Sequence, residues 1–232
     1  MTAAQGGLYN GPGAQRNDGD ALSAQVRRPE AADTGVRGRG LQTNGGIQKE
    51  QGQSSSVPRW ARGYLIDNPS RAAGIAAENA ARYGANVFVV DDAAIKAKNQ
   101  KAWALTSGGS VYISNSIPAE LANVVGFHEA VHAAKQQGSG EYLDFLNRTD
   151  DFVEFGTERS YLVMELLSEA RFPGKDYLSL SDAQKKTVLD ELNALVWGFH
   201  KADPETARAQ FAEMFRDYDA YISELDAAME SN

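Results

Sequence analysis

Thirteen residues, 124–136, read VVGFHEAVHAAKQ and hold two of the three histidines in this 232-residue chain. On an α-helix His128 and His132, four apart, lie about 40° apart in azimuth and about 6 Å apart along the axis, so both imidazoles share one face. That spacing suits a single metal ion. Glu129, about 100° round the same helix, can reach a water beside the ion without ligating it. The spelling His128-Glu129-Ala130-Val131-His132 is HExxH, and it predicts a zinc site with Glu129 as general base. A pair of satisfied core histidines is the plainer alternative, but the flanks favour the site. A strand-like SVYIS precedes the motif, Pro118 suits a first helical turn, and Gly138 stands where a C′ residue would end a helix over 118–137.

Composition narrows what can complete such a site. The chain has no cysteine, so disulfides and thiolate ligands are excluded and the metal must take nitrogen and oxygen. Residues 1–57 carry half of the 22 glycines, one aromatic residue (Tyr9) and no apolar run, which predicts a disordered tail or a linker left from a larger polyprotein. The remainder, 58–232, holds 17 basic and 26 acidic residues, a net of −9 that argues against nucleic acid as substrate. The N-terminus lacks a basic, then apolar, signal pattern, and no run approaches the roughly 20 apolar residues of a membrane span. The expected setting is therefore cytoplasmic or inside a phage particle, with no membrane partner.

In order along the chain, Asn68-Pro69 reads as the start of an alanine-rich helix running to Tyr83, with Gly84 beyond its end. NVFVV at 86–90 predicts a buried strand, and AWALT at 102–106 with SVYIS at 110–114 predicts a hairpin around Ser107-Gly108-Gly109. Alternation in SVYIS places Val111 and Ile113 on one side and Ser110, Tyr112 and Ser114 on the other. That is the pattern of a strand with one wet face, and as an edge strand it could receive an extended peptide. Downstream, a short helix or turn is expected over 141–148 and helices over 151–171, 181–201 and from an Asp203 cap to about 229, the later ones covering the core. The fold class is α+β: a small sheet of about three strands leading into the histidine helix, on a helix-rich body, with 58–232 as one domain.

A catalytic zinc keeps three protein ligands and one open position, so the histidine pair needs a partner. A metzincin would carry glycine at position 135 and histidine at position 138, but Lys135 and Gly138 stand there. Glutamates of the 151–171 helix remain: Glu154, Glu158, Glu165 and Glu169. Glu165 lies among apolar neighbours in YLVMELLSE, which points it inward as the candidate third ligand. Glu169, one turn on, is placed to orient a ligating imidazole. Glu158, Glu154 and His200 follow as alternatives. His200 and Tyr161 are candidates to stabilise an oxyanion, although a histidine near a helix end is commonly just favourable with the dipole.

GSVYISNSIPAELANVVGFHEAVHAAKQ followed by YLVMELLSEARF resembles the zinc metallopeptidase domains embedded in phage and mobile-element polyproteins, the large polyvalent-protein-associated type. These are similar to the gluzincin-like peptidases that cleave phage repressors. The resemblance covers about 90 residues and implies a zincin-like fold, His128, His132 and Glu165 as zinc ligands, and Glu129 as general base. Ser168 and Glu169 depart from the family's usual alanine and asparagine or aspartate. The function expected is hydrolysis of a peptide or protein substrate. The competing expectation is a zinc-stabilised structural or antirepressor module that binds without cutting.

Overall fold

In the computed structural model, residues 57–231 are described. The tail expected at 1–57 lies, except for Val57, outside the described residues. The chain is helix-rich with a small mixed sheet, an α+β arrangement. After a short helix α1 (Arg59–Arg62) come α2 (Arg71–Ala81), β1 (Asn86–Val90), α3 (Asp92–Lys96), β2 (Ala104–Ser107) and β3 (Ser110–Ser114). A 3-10 turn at Ala119–Leu121 then leads into α4 (Ala122–Gln137). The second half is helical throughout: α5 (Gly140–Leu146), α6 (Thr149–Phe152), α7 (Glu158–Arg171), α8 (Asp182–Ala202), α9 (Pro204–Phe211) and α10 (Tyr218–Glu230).

The sheet order is β1-β3-β2, with β1 parallel and β2 antiparallel to β3. Gly108 and Gly109 make the hairpin loop with φ of 60° and 72°, the left-handed geometry a two-residue loop demands and glycine meets without strain. β3 is therefore central, which overturns its expected role as an edge strand with a wet face. All five of its residues are buried. The polar positions misled because each has a cover: Tyr112 lies between the rings of Trp60 and Phe88, at 4.8 and 5.4 Å, and the Ser114 hydroxyl donates to Asp92 Oδ1 at 2.7 Å. The edges on either side of β3 are β1, where Leu65 bridges to Val90, and β2.

α4 is held on three sides. The hairpin loop grips its C-terminal turns, where Gly109 N–H donates to Gln136 Oε1 at 3.0 Å and Gln137 Nε2 donates to Gly109 O at 2.9 Å. On another side α2 comes so close that a Cβ on Gly126 would sit 2.4 Å from Ala76 O. Opposite, α8 presses against α4 at Gly198, where a Cβ would sit 2.8 Å from Val124 O and 3.3 Å from the His128 Cβ. Small residues at both crossings let the helix carrying the motif run through the middle of the molecule. Tyr83, Phe127 and Trp197 seal the α4–α8 contact with edge-on ring contacts of 4.7 to 6.2 Å.

Boundaries depart from expectation where a local cap competes. α2 begins two residues late because Ser70 is the cap, its hydroxyl accepting from Ala73 N–H. The helix expected over 151–171 breaks into α6 and α7: Val153 bridges to Phe215, and the Thr157 hydroxyl accepts from Ser160 N–H to start α7. The last expected helix splits likewise, with Asp217 capping α10 after the Phe215 bridge. α8 begins at the expected Ser181, closed by a capping box with Gln184. No helix among the described residues is long and apolar enough to cross a membrane.

Candidate metal centre

His128 and His132 project from adjacent turns of α4 with their Nε2 atoms 3.1 Å apart, and both are buried. The acid that meets them comes from α8. Glu191 Oε1 stands 3.4 Å from His128 Nε2 and Glu191 Oε2 stands 3.5 Å from His132 Nε2. One ligand atom from each of the three residues falls within 4.8 Å of the others, and among the described residues this is the group of metal-binding side chains so arranged. His128, His132 and Glu191 lie close enough to hold a metal ion.

Two features test that fit. Glu191 is 1% exposed, yet its Oε1 accepts no hydrogen bond among the described residues. A buried, unsatisfied carboxylate oxygen facing the His128 imidazole is costly unless a cation completes it. The second is the donor set, two imidazole nitrogens and a carboxylate oxygen without sulfur, which suits a divalent metal of borderline hardness.

The surroundings fix each donor. Asp190 Oδ2 lies 2.9 Å from His132 Nδ1 and 3.2 Å from Lys135 Nζ, while Tyr142 donates its hydroxyl to Asp190 Oδ1 at 2.8 Å. Burial pushes the Asp190 carboxyl up, but the His132 imidazole, Lys135 and the Tyr142 hydroxyl outweigh it and hold the group below its ordinary range. An ionised Asp190 can only accept, so His132 Nδ1 carries the proton and Nε2 presents a lone pair to the site. Burial, with Asp190 beside it, pushes the Tyr142 hydroxyl well up and keeps it a donor. The chain of contacts continues inward: Asn193 donates to Thr149 Oγ1 at 3.0 Å, and Tyr221 donates to Asn193 Oδ1 at 2.9 Å. Glu191 is also ionised. Its burial opposes the charge, but Arg171, then His128 and His132, bring its carboxyl well below the usual range. Arg171, in the last turn of α7, donates from its guanidinium to Glu191 Oε2.

Glu129 points to the sheet side of α4. Thr106 of β2 donates its hydroxyl to Glu129 Oε2 at 2.7 Å, and Glu129 is 3% exposed.

The structure thus brings His128 and His132 together with Glu191, turns the Glu129 carboxylate to Thr106 on the sheet side of α4, and does not bring Glu165 or Glu169 to the histidines. Glu165 Oε1 accepts from Tyr177 N–H at 3.0 Å, and Glu169 Oε2 accepts from Gly174 N–H at 2.8 Å. α7 buries Ser160, Met164, Leu167 and Ser168, which leaves both glutamates on the flank to cap the loop that follows. Glu154 and Glu158 are exposed. His200 sits nine residues beyond Glu191, about 14 Å along α8, with Nδ1 3.4 Å from the Tyr218 hydroxyl. Tyr161 is 60% exposed, ten residues before Arg171 on α7.

The signal for Asp190 and Glu191 was present in VLDELNALVW. Adjacent acids in the middle of an apolar helix meet the same test that selected Glu165, and α8 proves to be buried on nearly every side there. Comparison with family models, with curated proteins and with solved structures finds no match to this chain.

Proposed function

We propose that the chain is a zinc-dependent peptidase of gluzincin-like plan on a zincin-like fold, with His128, His132 and Glu191 as ligands and Glu129 as general base. The observation that carries this reading is the buried Glu191 carboxylate, whose Oε1 faces the His128 imidazole without a hydrogen bond among the described residues while Oε2 lies 3.5 Å from His132 Nε2. Zinc is the metal that three such ligands with an open fourth position suit best. Bound there, it supplies a Lewis acid that lowers the pKa of a coordinated water toward about 7 and polarises a carbonyl. The protein's own part is proton handling and positioning. Glu129 accepts the proton of the attacking water and delivers it to the leaving amine, held in aim by the Thr106 hydroxyl. Asp190 keeps the proton of His132 on Nδ1.

The substrate strand follows from the sheet order. Trp103 O accepts from Ser114 N–H, so alternate residues of the antiparallel pair turn their main-chain groups away from β3. Ala104 and Thr106 therefore turn their main-chain groups to the edge of the sheet, where Gln136 Nε2 donates to Thr106 O at 3.3 Å, and an extended peptide would pair with the Ala104 side of β2 rather than with β3. The phage or mobile-element polyprotein setting belongs to the same proposal. Its test is Glu129→Gln in the full chain: zinc should stay bound while cleavage of a peptide library, followed by mass spectrometry, disappears. Cleavage that survives in the variant removes Glu129 from the chemistry. Zinc binding with no cleavage by the unaltered protein favours the non-hydrolytic module instead.

A further inference from the structure

Among the described residues Arg171 donates to Glu191 from its guanidinium, and its position separates the two carboxylate oxygens. Oε2 accepts from the guanidinium, whereas Oε1 is left without a hydrogen bond on the side of His128. The guanidinium side chain is 13% exposed and the Glu191 side chain 1% exposed, so the pair is screened from water. Without Arg171, a carboxylate from the middle of an apolar helix would be buried against two histidines with no fixed positive charge.

We propose that Arg171 is a positioning residue for the metal centre, which assembles the site before metal arrives by neutralising Glu191 and turning Oε1 toward the ion. The inference rests on Glu191 being a ligand. It makes two demands of the physics. First, the guanidinium partners the buried Glu191 carboxyl group in the metal-free protein, so folding does not wait for the ion, unlike small domains whose folding energy is metal-binding energy. Second, with Oε2 held by the guanidinium, Glu191 offers one oxygen to the ion. A carboxylate that binds through both oxygens would occupy more of the metal's open positions.

The role is separable from ordinary packing because a bound divalent ion can replace the missing charge. In Arg171→Gln the metal-free protein should melt about 10 °C below the unaltered protein, as expected when one partner of a buried pair is removed from a domain of this size. Saturating zinc chloride should restore most of that loss, so the zinc-induced rise in Tm is larger in Arg171→Gln than in the unaltered chain. Arg171→Lys, which keeps a charge, should lie close to the unaltered protein. In EDTA, the double variant Arg171→Gln with Glu191→Gln should melt above Arg171→Gln alone, because the uncompensated charge is gone; this arm holds even if the single variant does not fold without metal. An equal drop with and without zinc, in a protein that still binds zinc, overturns the role of Arg171 and leaves the metal reading standing. A double variant no more stable than the single one does the same. If the unaltered chain neither binds zinc by equilibrium dialysis nor gains Tm with it, the metal reading fails and this inference goes with it.

Discussion

Asp190 and His132 meet at 2.9 Å across the contact between α8 and α4, with Tyr142 and Lys135 on the same carboxylate. A carboxylate in this position fixes the tautomer of a ligating imidazole and raises its basicity, and losing one typically costs about 10- to 100-fold in metal affinity. Asp190→Ala should weaken zinc by that amount in chelator competition. Glu169→Ala, which removes only an acceptor for Gly174 N–H, should leave affinity unchanged.

Thr106 supplies a second prediction, on the other side of α4. Its hydroxyl is the donor to Glu129 Oε2, and Val is close in shape but cannot donate. Thr106→Val should bind zinc normally and lower kcat about tenfold, the cost of one buried hydrogen bond to the base. Thr106→Ser, which keeps the hydroxyl, should recover most of the rate. Equal rates for the two variants would show that the hydroxyl is not needed.

The histidine helix, the hairpin, the place of β1 and the Ser181 cap of α8 were legible because each rests on local chemistry: a motif at helical spacing, a glycine pair, an apolar run, a capping serine. The burial expected of β1 was not met, since as an edge strand it buries only Val90. The edge position of β2 was not legible, since strand order depends on the crossover from β1, which period-2 alternation does not encode. The acid that meets the histidines was misplaced for a related reason. Acids among apolar neighbours at 165 and 191 look alike in sequence, but only Glu191, on the helix packed against α4 at Gly198, meets the histidines. The helix ends at 153–157 and 215–217 were lost to a bridge between Val153 and Phe215, residues more than sixty positions apart.

His200, a candidate in the sequence but remote from the metal centre, carries a pH prediction. Burial pushes its imidazole below the ordinary value, Asp226 pulls it up, and Lys201 and Arg208 push it down again. The folded form therefore prefers the neutral ring, while the unfolded chain takes a proton near pH 6.5. The contribution to stability is full above about pH 6.5 and is lost as pH falls through the lower folded value. Comparing Tm of the unaltered protein with His200→Gln from pH 7.5 to 5, the unaltered protein should lose ground to the variant as pH falls. A constant difference would mean that His200 titrates alike in both states.

The central claim is that the third ligand comes from α8. Zinc affinity of Glu191→Ala and Glu165→Ala, measured side by side by chelator competition in the full chain, tests it most directly. Glu191→Ala should lose zinc to a mild chelator because two imidazoles alone remain, while Glu165→Ala should hold zinc as tightly as the unaltered protein, since its carboxylate caps Tyr177 N–H. Loss of zinc in Glu165→Ala with retention in Glu191→Ala would contradict the account.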